Sequence, residues 1–588
     1  MVKSASQWIH LAALGDVPAG EAKAVKVGDV RSIALFNVDG RIHATDNQCP
    51  HMGYPLTRGA VREGILTCDW HGRSFDLEGG GCFNYECDDL QTFPVEIRQN
   101  EIWVKIGDTH YRRKDEHLRL LWEGLLSQDR WTISKAIASL LKGNVPEEEI
   151  VEMILRHLGR RIASSEDAEG GSDLSRLING LKVGRRYEHA DRLIVLATAA
   201  CSVAGKSAER LEVVSLPGSV AWDSLDRWTR MFSHDGQAGR IERCLFTAYH
   251  LNYQDRILPL LYQCAVEPHF LGIADNLLSI GYLAESVETF GWQRSSEIVF
   301  NLGAKMIGRR RGEPERFRRD AVELMTSMVP AIEVSEPSSN NITEYDEDAF
   351  VSALLSVNIQ KSFEAVDSAL KQGVTLDRLI TTLVLLAADR MARTPVNVDA
   401  GWGVLTMELN LAASLRTAER LGGSRVAAKG LFQAAWQVFS NRWLNIPVRP
   451  LTESLGGGKL EVPDEDTGLE VILLSIASLN VQDVGLQVLE YLNAGYSGDR
   501  LLHEMGRAML WDDTNIQVLP TLRNVFEEWE RSGGSDPALG AGHPARYQLL
   551  VGLARYATDI RTNKDSGSAT NTAMRFAEGK TTVDVFGQ

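Results

Sequence analysis

The chain has 588 residues, 24% of them charged and 44% apolar, with a formal net charge of −16 at pH 7. Such a length exceeds one domain core, the composition is that of a globular protein, and the acidic balance excludes a general nucleic-acid binder, which needs excess Lys and Arg to neutralise phosphate. No apolar run of about 18 residues predicts a membrane-spanning helix, and "MVKSASQWIHLAALGDV" lacks the pattern of a secretory signal. The seven cysteines, an odd number spread over a long chain, do not make a disulfide framework. A reducing, cytoplasmic setting is expected, with metal ligation as the use of the paired cysteines.

Residues 1 to 107 read as a small all-β unit. "RSIALFNVDGRIHATD" alternates apolar and polar residues on both sides of Asp39-Gly40, a dipeptide that accepts the positive φ angles of a tight hairpin turn. "QTFPVEIRQNEIWVKI" reads as a second hairpin, and glycines are dense between residues 53 and 81. A unit this small has a thin core that a metal centre would help to hold.

Inside it stands "CPHMGYPLTRGAVREGILTCDWHGRSFD", residues 49 to 76. Cys49-x-His51 is followed, after sixteen residues, by Cys68-x2-His71. Two thiolates and two imidazoles suit either tetrahedral zinc or a Cys2His2 [2Fe–2S] cluster. A zinc finger would continue into a helix carrying its histidines. Here a glycine follows each pair instead, which predicts backbone amides close to cluster sulfides, and Pro50 stiffens the first loop. Cys82 and Cys87, in "GGGCFNYEC", read as ordinary loop thiols, with a second redox pair as the alternative.

"CPHMGYPL" and "CDWHGRSFDL" resemble the two cluster loops of Rieske ferredoxins and of the Rieske domains of ring-hydroxylating oxygenases, over residues 5 to 107. The resemblance implies that Cys49 and Cys68 hold one iron, and that His51 and His71 hold the other through imidazoles exposed at the tip, where the electron leaves. Respiratory Rieske proteins carry an extra cysteine in each loop, joined as a disulfide. Tyr54 and Trp70 stand at those positions, so that bridge is absent. The hydroxyls of their Ser and Tyr, which bond sulfur, are replaced here by Arg73 and Phe75. Fewer hydrogen bonds to sulfur predict a reduction potential at the low end of the Rieske range, about −150 mV.

From Arg112 onward the periodicity changes. "LWEGLLSQDRWTISKAIASLLKG", "DAFVSALLSVNIQKSFEAVDSALKQG" and "LDRLITTLVLLAADRMAR" place apolar residues at three- and four-residue steps, the pattern of amphipathic helices. Residues 112–561 are expected to form a large all-α domain, bundle or repeat array, and residues 562–588 a polar tail. The stretches 164–173 and 334–348 read as loops or linkers. "GVTLDRLI" (373–380) resembles "GYSGDRLL" (495–502), and "NVPEEEIV" (144–151) fits the same frame, "CAVEPHFL" (264–271) more loosely. This predicts helix-turn-helix units that arose by duplication or that converged on one turn.

A Rieske cluster alone moves one electron at a time. In the oxygenases of that family it feeds an iron held by two histidines and a carboxylate, whose usual Asp/Asn-x2-His-x4-His string is missing from this sequence. The Glu-x-x-His pairs of ferritin-like bundles are missing too. The helical region also resembles questin-oxidase-like proteins, through its "ALKQGVTLDRL" type of helix-turn-helix; that family is all-helical and includes oxygen-using enzymes that hold iron with histidines and a carboxylated lysine. His157, His189, His250, His269, His503 and His543 lie in the helical segments. Of these His189, His250, His269 and His503, with Lys361 in "SVNIQKSFEA", are the candidates for a second metal. "GAGHPA" (540–545) imitates half of a dinucleotide fingerprint, but Pro544 and the lack of a preceding strand exclude it. The basic run "RRRGEPERFRRD" (309–320) reads as a solvated helix face or as a dock for an acidic redox partner.

The leading expectation is an iron-dependent oxidoreductase. Its [2Fe–2S] cluster would take electrons from an external reductase or ferredoxin and pass them to a non-haem iron in the helical domain, where O2 and an organic substrate, aromatic compounds included, react. The alternative is a non-catalytic electron carrier or redox sensor with a helical protein-binding scaffold. Neither involves nucleic acid or a membrane.

Overall fold

The computed structural model describes residues 7–28, 31–84, 87–106, 114–164, 170–205, 213–309, 316–334, 345–394, 401–444, 446–451, 453, 455, 464–511, 518–533, 542–560, 573, 574 and 577. The chain forms two compact units: residues 1–151 together with 567–588, and residues 152–566. Residues 165–169 and 335–344 of the expected linkers, the core of the basic run, and nearly all of the tail 562–588 lie outside the described residues, while residues 170–173, expected as linker, open a helix.

The first unit begins as an all-β domain of ten short strands: β1 (Gln7–Ala13), β2 (Ala22–Val27), β3 (Arg31–Val38), β4 (Arg41–Asp46), β5 (Ala60–Arg62), β6 (Ile65–Thr67), β7 (Ser74–Asp76), β8 (Thr92–Phe93), β9 (Val95–Arg98) and β10 (Glu101–Ile106). They form three antiparallel sheets in the orders β1-β10-β9, β2-β3-β4-β8 and β5-β6-β7. Both expected hairpins are present. In one, Val38 pairs with Arg41 across Asp39 and Gly40, at φ 50° and 87°. In the other, Arg98 pairs with Glu101 across Gln99 and Asn100, at φ 53° and 65°. Two successive positive φ angles match the twist of a two-residue hairpin.

Strand β3 is buried on both faces, and its alternation sorts two cores. Ile33 and Leu35 join Ile42, Phe93, Ile102 and Val104 in the first. Ala34 and Phe36 join Leu56, Leu66, Phe75 and the two cysteines Cys49 and Cys68 in the second. The cysteine pair is thus part of a core, beneath the loops that carry it.

This unit continues past the strands into α1 (Lys114–Ser127), α2 (Arg130–Lys142) and the start of α3 (Glu147–Ser164). Asp129 caps α2, its carboxylate accepting from the Trp131 and Thr132 amides. From Ile133 to Ala138 every residue of α2 is buried, Lys135 among them.

The second unit is helical, and the chain as a whole carries 21 α-helices among the described residues. The two turns that resemble each other in sequence are built alike. Gly373 and Gly495, at φ 79° and 85°, each end a helix and donate to the carbonyl three residues back, Leu370 and Leu492. Thr375 and Ser497 then cap the next helix through hydroxyls that accept from the Arg378 and Arg500 amides. Among the described residues no helix is long and apolar enough to cross a membrane.

Candidate metal centre

The first loop runs between β4 and β5 and carries Cys49 and His51; the second, between β6 and β7, carries Cys68 and His71. The two loops have the same backbone plan. The Cys49 amide donates to Tyr54 O at 2.8 Å, and the Gly53 amide donates to Cys49 O at 2.7 Å. In the second loop Cys68 N donates to Arg73 O at 2.8 Å and Gly72 N to Cys68 O at 3.0 Å. Gly53 and Gly72 take φ angles of 74° and 66°, a region glycine enters without the Cβ penalty. The glycines therefore close each loop back onto its own cysteine. Their amides serve the cysteine carbonyls.

Both cysteines are 1% exposed. Their thiols hydrogen-bond each other, which holds Cys68 below the usual thiol range and pushes Cys49 above it. The His51 and His71 rings meet edge to face with centroids 4.8 Å apart. Sulfur lies with sulfur and imidazole with imidazole. Among the described residues no three of His, Cys, Asp and Glu surround a single ion position. The sorting of the donors into a sulfur pair and an imidazole pair fits a centre with two metal ions. His51 Nδ1 is buried with no hydrogen-bond partner in the protein, a cost a native structure rarely carries unless a ligand or ion takes up the atom. Burial, then Arg73, His71 and Lys135, hold the His51 imidazole down to about 4; it is neutral at pH 7, the form that binds metal.

The two histidines differ in exposure. His71 is exposed, as expected, beside Trp70, whose ring is 4.3 Å from it and 47% exposed. His51 is half-buried, which corrects the expectation of two open imidazoles. Part of the reason is α2. The Trp131 indole N–H donates to His51 O at 2.9 Å, and the Lys135 ammonium donates to Pro50 O at 2.6 Å and to Asp88 at 2.7 Å. The Lys135 side chain is only 5% exposed. Two side chains one helical turn apart thus pin the two residues that follow Cys49.

Other residues hold the loops. Asn47, fully buried, donates to Ser32 Oγ at 3.0 Å and accepts from the Thr57 amide at 2.9 Å. Asn84 accepts from the Ser74 amide at 2.9 Å. Tyr54 and Trp70 meet ring to ring at 5.6 Å. Phe75 is buried in the core and brings no hydroxyl. Cys82 and Cys87 are free thiols packed against the same core. Burial pushes the Cys87 thiol up, which disfavours the thiolate that disulfide exchange needs.

The second-metal candidates are spread over the helical unit. His250 ends the helix Ala238–His250, exposed, with its ring against Phe246 and Tyr249. His269 sits in the turn Pro268–Phe270 with its ring 5.8 Å from His234. His503 stacks on Tyr187 at 4.6 Å. His189 opens the helix His189–Val203, its side chain outside the described residues. Lys361 is exposed on the helix Ile359–Lys371, whose inward face is Ser362, Phe363, Val366 and Ala369; its place beside apolar residues in sequence does not put it on their side of the helix. His157 is buried, and His543 pairs with Glu347 at 2.8 Å and caps Ala545, a structural role.

A family model, "Rieske [2Fe-2S] domain", matches residues 7–94. The ferredoxin component of naphthalene 1,2-dioxygenase/salicylate 5-hydroxylase systems from Ralstonia sp. is 34% identical over 100 residues, 17% of this chain and 95% of that protein. Apoptosis-inducing factor 3 from Homo sapiens is 31% identical over 91 residues, only 15% of either chain. Among solved structures, Sphingomonas yanoikuyae B1 ferredoxin aligns at 34% identity over 17% of this chain and 99% of its own, with a TM-score of 0.16. These similarities stop short of the helical unit.

Proposed function

This chain belongs to the Rieske [2Fe–2S] family through its N-terminal domain, and we propose that Cys49 and Cys68 hold one iron of the cluster and His51 and His71 the other. The domain implies an electron-transfer function; when bound, the cluster supplies one-electron chemistry. The observation that supports the ligand set is the separation of the donors into a buried sulfur pair and an imidazole pair, with His51 Nδ1 left without a protein partner. Neutral His51 is held in place by α2, and the second core keeps water from the sulfurs. His71, with Trp70 beside it, offers the edge at which an electron enters or leaves.

The electron donor in this reading is a separate reductase or ferredoxin, in the cytoplasm, and the reaction served is the oxidation of an organic substrate by O2, with the helical unit binding that substrate. The oxygenase reading needs a non-haem iron in the helical unit as well; among the described residues its candidate ligands do not converge, and its ligands are left unassigned. That same dispersion favours a second reading, in which the helices are a protein-binding scaffold for an electron carrier or redox sensor. Iron and acid-labile sulfide counts on the holoprotein separate the two. The cluster's own iron alone supports the carrier or sensor; an additional iron per chain, bound without sulfide, supports the oxygenase.

A further inference from the structure

In the first unit two thiols stand outside the proposed ligand set. Cys82 and Cys87 are free, half-buried, and packed against the core that contains Cys49 and Cys68. Their two thiols hydrogen-bond each other.

The backbone sets up this contact. Cys82 forms an antiparallel bridge with Phe75 of β7, and the Phe83 amide donates to Ser74 O at 2.9 Å. Asn84 accepts from the Ser74 amide at 2.9 Å, and its carbonyl accepts from the Cys87 amide at 3.3 Å. That turn folds Cys87 back toward Cys82. The Cys82 amide donates to the Asp89 carboxylate at 2.8 Å, which joins the start of the segment to its end. Asp88, next to Cys87, is tied to the Lys135 ammonium of α2 at 2.7 Å. Both cysteines are thus held by neighbours on either side, with their sulfurs already together. A disulfide forms without backbone movement only where the two side chains start in such a position.

We propose that Cys82 and Cys87 are a reversible modification site, converted to a disulfide by hydrogen peroxide while the cluster beside them stays in place. In the first step the Cys82 sulfur attacks one peroxide oxygen and the O–O bond breaks. The hydroxide released takes up the Cys82 proton and leaves as water, and Cys82 becomes a sulfenic acid. In the second step the Cys87 sulfur attacks the Cys82 sulfur and the S–O bond breaks. The departing hydroxide takes the Cys87 proton and leaves as a second water. Two thiols and one hydrogen peroxide give one disulfide and two waters, with two electrons passing from sulfur to oxygen. Cys87, whose proton burial retains, is the resolving sulfur. Its contact with Cys82 gives it an effective concentration that a thiol in free solution lacks. The proposal is independent of what the helical unit binds.

The test treats the full-length holoprotein with a small molar excess of hydrogen peroxide, follows its visible spectrum, then denatures it in N-ethylmaleimide and digests it with trypsin. No Lys or Arg lies between Ser74 and Arg98, so both cysteines fall in the single peptide 74–98. The proposal expects that peptide to lose both maleimide labels and to be two hydrogens lighter than its reduced form, with the Rieske spectrum retained, and expects dithiothreitol to restore both labels. In Cys87→Ser the resolving sulfur is gone, and dimedone is expected to trap a sulfenic acid on Cys82 that wild type does not accumulate. Full labelling of the peptide after peroxide, pairing of Cys82 or Cys87 with another cysteine, or a disulfide found only after the spectrum has been lost overturns the proposal. So does a dimedone adduct on Cys82 that is as abundant in wild type as in Cys87→Ser. Full labelling with an intact spectrum leaves the electron-transfer reading standing, whereas a holoprotein that never shows a Rieske spectrum strikes that reading before any peroxide is added.

Discussion

Replacing Lys135 with methionine keeps a long, buried side chain on α2 and removes its charge. Lys135 Nζ contacts the carbonyl of Pro50 at 2.6 Å, between the candidate ligands Cys49 and His51, and Asp88 at 2.7 Å. Reduction adds one negative charge to the centre those ligands hold, so a fixed cation nearby favours the reduced state. Two unit charges about 10 Å apart at an effective dielectric of about 20 interact by roughly 1.7 kcal/mol, which for a one-electron couple is roughly 70 mV. Asp88 keeps its charge in the variant and does not offset the loss. Lys135→Met is therefore expected to lower the midpoint potential by roughly that amount, and Asp88→Asn, which removes the opposing charge, to raise it. A potentiometric titration followed by visible absorbance and electron paramagnetic resonance reads both. The opposed signs separate an electrostatic effect from mere loosening of the loop, which would move both variants the same way. Midpoints that do not change, or that shift in the same direction, would refute the role given to α2.

The wild-type midpoint is expected near the low end of the Rieske range, about −150 mV, since Arg73 and Phe75 offer sulfur no hydroxyl; a clearly positive value in the same titration would contradict this. Arg523→Met strands the buried Glu285 with Lys182 as its remaining cation, and breaking such a pair costs about 3–5 kcal/mol, readable as a lower urea midpoint. Glu408 is held up to about 7, by burial first, with Arg390 and Asn441 opposing. Its folded-state value lies above the unfolded one, so its contribution to stability is present below about pH 4.5 and lost as pH rises through about 7, a change on the order of a few kcal/mol. Denaturant melts of wild type and Glu408→Gln across that window should show the slope only in wild type.

The Rieske domain was legible because its motif is local: Cys49, His51, Cys68 and His71 stand in two short loops with glycine after each pair, and the Asp39-Gly40 hairpin fixes the strand that divides the cores. The α2 clamp was not legible in the same way. "RWTISKAIASLLKG" reads as one more amphipathic helix, and nothing in its spacing says that it packs on the cluster loop. The available signal was Lys135 itself, a cation set among Ile133, Ala136, Ile137 and Leu140, where a buried charge needs a partner. The buried ion pairs of the helical unit escaped for a stronger reason. Lys182, Glu285, Arg416 and Arg523 come from helices up to 341 residues apart, as the numbering 182 to 523 shows, and each alone looks like an ordinary surface charge. Lys361 lies in an amphipathic helix but stands exposed, away from its buried face of Ser362, Phe363, Val366 and Ala369.

The most direct measurement is the electron paramagnetic and electron–nuclear double resonance of the dithionite-reduced holoprotein, alongside its metal content. The proposed ligand set predicts a [2Fe–2S] centre with acid-labile sulfide and nitrogen couplings from His51 and His71, changed by His71→Cys and abolished with the cluster by Cys68→Ala. A colourless protein that carries zinc, lacks sulfide and shows no nitrogen-coupled iron signal would contradict it.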